Sequence, residues 1–377
     1  MDHDSNSARD STLPGLPAIL GDDPLARASL DVIVAGQAES GAIVASPTFS
    51  QYGFSWIRDG AFCALALGEV GHRDRETAFH RWVADAVLAH RDLFTETAAD
   101  AIAGCRLRPD VCPPTRFHLD GSVEAGHDET WPNFQLDGYG TWLSLVDRAQ
   151  QIDAALLDAV EVVADYLAAT WRRPCYDCWE EFGDRHHGST LMAIAGGLSV
   201  AGRLLDSPRL AAEAAAVRDE LVASFTAEGS FTKGSADRRV DASLLWATLP
   251  HAAFAIDDPL VSGTVERVRH ELQVDRGGVR RYLGDTYYGG GEWVLLTAWL
   301  GWNDAANDRR DGWERACAWI RATGDEALHL PEQTTSNAQS LGHVAEWTDR
   351  WGEPARPLLW SHAMYLLMLL EGKRRGW

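Results

Sequence analysis

Residues 189–225 read STLMAIAGGLSVAGRLLDSPRLAAEAAAVRDELVASF, two apolar-spaced segments broken at Asp206-Ser207-Pro208. In both segments apolar residues recur every three or four positions, which is the spacing of one face of an α-helix. Ser207 supplies an N-cap oxygen and Pro208 a preset φ at the first helical position, so the second helix starts there. A break this short makes the two helices neighbours, and the stretch predicts a helical hairpin.

Outward from it, the same spacing marks segments 23–37, 57–70, 74–90, 136–150, 154–171, 189–205, 208–225, 241–249, 259–273, 293–303, 311–323 and 357–372. Asp23-Pro24 and Asp258-Pro259 repeat the start signal. Strand-like signal is confined to short pieces such as 229–232, so the class is all-α. Short turns alternating with long loops predict six helical hairpins closing into a double ring, an (α/α)6 barrel, as a single domain over residues 21–377. Residues 1–20, rich in Ser, Asp and Pro, are expected to form a flexible N-terminal leader. A solenoid is the architectural rival, but the helix starts show no fixed period of about 34 to 47 residues.

With 34 Lys and Arg against 55 Asp and Glu, the 377-residue chain carries a formal charge of −21, which repels phosphate backbones and anionic headgroups. No nucleic-acid partner is expected. No stretch approaches the ~18 apolar residues of a membrane span, and the densest, 358–370, is interrupted by Ser361 and His362. The opening MDHDSNSARD has neither a basic region nor an apolar run of a secretory signal, so the expected location is cytoplasmic. Six cysteines are too few for a disulfide scaffold in a chain of this length. A neutral ligand such as a sugar feels little of the acidic field. Trp is over-used at 16 copies, and indoles serve either as core filler or as stacking platforms for sugar rings.

Five loops, 38–56, 90–135, 172–188, 274–292 and 324–356, exceed the ~15 residues beyond which an unstructured connection is usually functional. In a helical barrel the loops entering inner helices gather at one mouth. They carry the chemistry-bearing blocks. Glu180 and Glu181 lie between Trp179 and Phe182, where an apolar wall raises a carboxyl pKa towards that of a general acid. Glu332 follows a stiffening proline in Leu330-Pro331-Glu332-Gln333. Two carboxylates on separate loops across one pocket are the minimal equipment for glycoside hydrolysis. In SQYGFSWIRD, residues 50–59, Arg58 and Asp59 form a donor and acceptor pair suited to adjacent sugar hydroxyls, with Tyr52 and Trp56 beside them. The block RRYLGDTYYGGGEW, residues 280–293, mixes the same ingredients around a Gly run. Cys175-x-x-Cys178 with His186-His187 supplies half a zinc site without the remaining ligands, and the nucleotide, serine-hydrolase and zincin motifs are absent. No metal or organic cofactor is expected.

Taken in order, seven motifs resemble glycoside hydrolase family 15, the glucoamylase-like family. They are Y-x-x-x-W-x-R-D (residues 52–59), Q-L-D (135–137), W-E-E (179–181), V-D-A-S-L-L (240–245), R-Y-x-x-D-T-Y-Y (281–288), P-E-Q (331–333) and L-W-S (359–361). The resemblance implies an (α/α)6 catalytic domain and inversion at the non-reducing end of α-glucosides. It implies Glu180 as general acid and Glu332 as general base, with carboxyl groups roughly 6.5–9.5 Å apart to admit a water. Tyr52, Trp56, Arg58, Asp59, Trp131, Glu181, Arg281 and Trp360 become expected substrate contacts. The expected substrate is a short soluble α-1,6- or α-1,4-linked gluco-oligosaccharide, isomaltose-type favoured. The alternatives are a trehalase of the same family and a non-catalytic sugar-binding protein. Loops 90–135 and 183–188 are expected to build the leaving-group subsite.

Overall fold

A computed structural model describes residues 17–124 and 131–377. Residues 1–16 of the expected leader lie outside the described residues. Ala18–Leu20 form a 3-10 turn, with Leu20 buried.

Helices α1 (Pro24–Ala35), α2 (Ile57–Glu69), α3 (Arg73–Ala89), α4 (Arg91–Ile102), α5 (Asp137–Leu145), α6 (Ala154–Thr170), α7 (Gly188–Leu204) and α8 (Pro208–Ser224) are followed by a 3-10 helix (Ala242–Ala247). Then come α9 (Pro259–Arg267), α10 (Val294–Ala306), α11 (Arg310–Thr323), α12 (Leu341–Trp351) and α13 (Leu359–Arg374). Contacts run from α13 to α2, α5, α7, the 3-10 helix and α10, then back to α13, closing an inner ring. Outside it, α1 packs on α13, α3 on α2, α6 on α5, α8 on α7, α9 on the 3-10 helix and α11 on α10. This is the (α/α)6 double ring, and its closure excludes the solenoid.

Burial separates the rings as their sequences require. Inner helices α2, α5, α10 and α13 are buried on nearly every face, whereas outer α8 buries only Leu210, Ala214, Val217 and Leu221, one stripe at helical spacing. Close inner packing needs missing side chains. A Cβ on Gly140 of α5 would meet the backbone of Ala193 at 2.7 Å, and one on Gly197 of α7 would meet the Gly140 carbonyl at 2.6 Å. The expected caps form: Asp23 accepts from Ala26 N–H, Ser207 from Leu210 N–H and Asp258 from Leu260 N–H.

All twelve expected segments occupy the two rings, although 241–249 is a 3-10 turn rather than an α-helix. Two helices, α4 and α12, fall within loops read as unstructured; both stand outside the rings. Apart from the expected piece at 229–232, the two-residue strands also escaped the sequence reading. Strand β1 (Ser55–Trp56) pairs antiparallel with β2 (Arg116–Phe117), and β3 (Thr226–Ala227) with β4 (Ser230–Phe231). Strand β6 (Glu292–Trp293) lies between β5 (Val279–Arg280) and β7 (Gln333–Thr334). This small sheet fixes Glu332 beside the entry to α10. Among the described residues no helix is long and apolar enough to cross a membrane.

Candidate active site

A pocket of about 340 Å³ opens at one end of the barrel, and each of the five long loops contributes to it. Loop 38–56 brings Ala45, Tyr52 and Trp56, loop 90–135 Trp131 and Pro132, and loop 172–188 Cys178 to Glu181. Arg281 and Tyr287 come from the fourth, and Glu332, Trp347, Arg350 and Trp351 from the fifth. The base rests on the barrel's aromatic filling: Trp360 stacks on Phe62 at 5.2 Å, beside Trp246 and Trp299.

At that base sit Arg58 and Asp59, placed by the first turn of α2. Arg58 donates to Asp137 at 3.1 Å and Gln135 at 3.3 Å, while its Nε lies 3.3 Å from Asp59 Oδ2 and its Cζ lies 5.3 Å from the Trp360 ring centroid. The Q-L-D motif therefore orients the arginine. Burial pushes the Asp59 carboxyl up to about 6 against the pull of Arg58.

Glu180 sits on a turn in the left-handed region (φ 67°), an unfavourable conformation for a residue with a Cβ. Asp177 holds the turn. Its side chain accepts from the backbone N–H of Trp179 and of Glu181, and its carbonyl accepts from Glu180 N–H. Asp177 is itself anchored by Lys233 Nζ at 2.9 Å, and Lys233 also donates to Asp241 at 2.7 Å. Asp241 accepts from the indole of Trp179. Burial opposes charge on Lys233, but the two carboxylates win and hold its pKa above the ordinary value. The V-D-A-S-L-L motif is thus the underside of the W-E-E loop. Lys233→Met leaves two buried carboxylates unpaired, an expected loss of about 3–5 kcal/mol readable as a lower urea midpoint. An unchanged midpoint overturns this account of the turn.

Trp56 Nε1 donates to Glu180 Oε1 at 2.7 Å. Glu181 accepts from Arg281 at 3.1 Å and from the Tyr282 hydroxyl, and Asp285 holds the other side of Arg281. Burial raises the Glu181 carboxyl, opposed by Arg281.

Glu332 is 3 % exposed, and burial pushes its carboxyl up to about 7 although the Tyr52 hydroxyl and Arg281 oppose this. Tyr52 donates to Glu332 Oε1 at 2.9 Å, and its oxygen lies 2.8 Å from the Tyr287 hydroxyl. Since Tyr52 spends its proton on Glu332, Tyr287 donates to Tyr52. Among the described residues Glu332 Oε2 has no hydrogen-bond partner. Its backbone is fixed by Glu332 N–H to Ala355 carbonyl, and by Ser361 Oγ donating to the Pro331 carbonyl.

The two glutamates stand on adjacent aromatic supports, Glu180 on Trp56 and Glu332 on Tyr52, whose ring centroids are 5.5 Å apart. Between them lie the Arg58–Asp59 pair and an aromatic wall: a cleft for a neutral, ring-shaped, hydroxylated ligand.

Comparison with known proteins agrees. The model of glycosyl hydrolases family 15 matches residues 24–370. The chain belongs to glycosyl hydrolase family 15. An isomaltose glucohydrolase of Kribbella flavida is 40 % identical over 358 residues, 92 % of each chain. A trehalase of Thermoplasma volcanium is 26 % identical over 303 residues, covering 72 % of this chain and 48 % of the trehalase. Among solved structures, a glutamate-to-alanine variant of a glycosidase in complex with glucose superposes with a TM-score of 0.87 at 38 % identity, covering 94 % of this chain and 97 % of that one. This family 15 chain is a glycoside hydrolase, which sets aside the reading as a sugar-binding protein without catalysis.

In the family 15 pocket the structure brings together all ten residues singled out by the sequence: Glu180, Glu332, Tyr52, Trp56, Arg58, Asp59, Trp131, Glu181, Arg281 and Trp360. Trp131 stands at the rim, edge-on to Trp56 at 5.7 Å and beneath Arg116 at 3.7 Å. Two expectations need correction. Phe182 does not wall the carboxylates; with residues 184–187 it lines a separate cleft against 233–239, because its own positive φ (52°) turns it away. Consequently none of 183–188, expected on the leaving-group side, lines this pocket. Sequence reasoning missed Trp347, Arg350 and Trp351 as lining, and singled out Tyr287 and Trp293 only as members of the 280–293 block. His187 Nε2 donates to the carbonyls of Cys175 and Phe182, and no group of three metal-ligating side chains occurs among the described residues.

Proposed function

We propose that this enzyme is an inverting exo-α-glucosidase that releases β-glucose from the non-reducing end of short α-1,6- or α-1,4-linked gluco-oligosaccharides. Isomaltose-type substrates are favoured, since the 40 % identical relative is an isomaltose glucohydrolase. Arg58 and Asp59 hold the hydroxyls of the terminal glucose at the closed base, over Trp360 and beside Trp56 and Arg281. Glu180 gives a proton to the glycosidic oxygen as the C1–O bond breaks. Glu332 takes a proton from the water whose oxygen bonds C1 on the opposite face, so the α-anomer becomes β. Glu181 and Trp131 sit on the leaving-group side.

The observation that carries this reading is Glu332 itself: a buried carboxylate with one oxygen held by Tyr52 and the other without a hydrogen-bond partner among the described residues, and so available to a water. Proton NMR at early times tests it. β-Glucose is expected first, and initial α-glucose refutes inversion. Maltose, isomaltose, nigerose, kojibiose and trehalose, compared by glucose release, set the linkage. Cleavage of trehalose alone transfers the assignment to a trehalase, the activity named for the 26 % identical relative.

The base must be ionised, so kcat/KM is expected to rise with pH through about 7, where Glu332 titrates. Tyr52→Phe removes the donor that stabilises the carboxylate and is expected to move that limb up by about one pH unit. A limb that stays in place, or moves down, shows that another group controls it.

A further inference from the structure

Helix α12 lies outside both rings, and nothing in the resemblance assigns it a role. None of its residues is fully buried. It is seated on the turn Tyr287–Gly289 by a close approach that the Gly run permits. A Cβ on Gly289 (φ +75°) would come within 2.3 Å of the Ser340 carbonyl oxygen and 2.6 Å of Val344, while Ser340 N–H donates to the Gly289 carbonyl. Gln339 bonds the carbonyls of Tyr282 and Gly290, and the Tyr288 hydroxyl donates to the Gly352 carbonyl. The seat sets one face of α12 against the pocket. Trp347 packs on Tyr287 at 5.0 Å, Trp351 on Trp347 at 4.9 Å, and the Arg350 guanidinium lies over both indoles at 5.5 and 4.9 Å.

These rings complete an arc that begins on the other side of the mouth. Trp131 meets Trp56 at 5.7 Å, Trp56 meets Tyr52 at 5.5 Å, Tyr52 bonds Tyr287, and Tyr287 meets Trp347. Trp56 in the arc is 3 % exposed, whereas Trp131 at one end and Trp347 and Trp351 at the other are only partly buried. A terminal glucose at the buried Arg58–Asp59 base must direct its glycosidic bond and leaving sugar towards the mouth between those ends, where α12 supplies the wall opposite Trp131.

We propose that Trp347 and Trp351, steadied by Arg350, form the platform on which the leaving sugar stacks, so that α12 determines specificity for the leaving group. The π face of an indole is negative and suits the weakly positive C–H face of a pyranose. The proposal rests on the exo-glucosidase reading and gives that pocket its second binding position.

The test compares two substrates on the full chain: the disaccharide that the wild type cleaves fastest, and α-glucosyl fluoride, which fills the glucose position but has no leaving sugar. For Trp347→Ala and Trp351→Ala, kcat/KM on the disaccharide is expected to fall about tenfold more than on the fluoride, with most of the change in KM. Trp347→Phe keeps an aromatic face and is expected to recover part of the loss. Equal losses on the two substrates overturn the platform and make α12 a support for the glucose position. No loss on either also overturns it. Both results leave the glucosidase reading standing, because the wild type still releases glucose. A wild type that hydrolyses neither substrate overturns that reading and the platform with it.

Discussion

Glu332→Gln is expected to lower turnover by about 10² to 10⁴, the usual contribution of a positioned acid or base, and at the same time to raise the melting temperature. The two effects have one origin. In the fold this carboxyl titrates at about 7 against an ordinary 4.5, because burial costs it more than Tyr52 and Arg281 return. Ionising it therefore costs the folded state about 3 kcal/mol relative to the unfolded chain. The sign follows from the raised pKa. Below pH 4.5 the group is neutral in both states and contributes no penalty. Between 4.5 and 7 the unfolded chain ionises and the folded one resists, so stability falls as pH rises, and above 7 the penalty is complete. Glutamine keeps the shape and the acceptor for Tyr52 but never ionises. Its gain in melting temperature is expected to be near zero at pH 4.5 and to reach a few degrees at pH 8. Turnover within tenfold of wild type sinks the role of base. A melting-temperature difference that does not change with pH sinks the account of the buried charge.

That trade explains which parts of the molecule could be read from the sequence. The twelve ring elements were legible because each must bury a face, so apolar spacing records it. Asp23-Pro24, Ser207-Pro208 and Asp258-Pro259 record helix starts through caps that need only local chain. Most of the ten pocket residues were legible through motifs around unusual combinations, an Arg-Asp pair after aromatics or a Glu after a proline, while Trp131 and Trp360 were expected only through the resemblance to family 15. Helix α12 was not legible, because it buries no residue fully and its seat depends on Gly289, more than fifty residues upstream of its end. Its sequence, LGHVAEWTDRW, has helical spacing, but within a loop of that length nothing local states what the two indoles face. Phe182 failed for a different reason. Neighbours in sequence face the same way only if the backbone is regular, and positive φ at both Glu180 and Phe182 sends them into different clefts. The raised carboxyls were legible only in part. Burial was expected to act on the W-E-E pair through its flanking aromatics, and it does raise Glu181, but it also lifts Asp59 to about 6 and Glu332, enclosed by Tyr52, Tyr287 and the sheet that carries Gln333, to about 7.

Glu180→Gln separates acid chemistry from binding. The substitution keeps the left-handed backbone with a side chain of the same length, and the amide oxygen still accepts from Trp56 Nε1, so the pocket is preserved. What is lost is a proton for the glycosidic oxygen. Cleaving a disaccharide expels a sugar alkoxide, which leaves only if protonated, and the expected loss is about 10² to 10⁴. Cleaving p-nitrophenyl α-glucoside expels a nitrophenolate that departs as an anion, and its loss is expected to be at least ten times smaller. The pH profile gives a second reading. With the acid replaced, the ascending limb near 7 is expected to remain with Glu332. Equal losses on the two substrates make Glu180 a binding group rather than the proton donor. A variant that loses the ascending limb instead reverses the roles of the two glutamates, since the group that must be ionised would then be the one on the W-E-E turn.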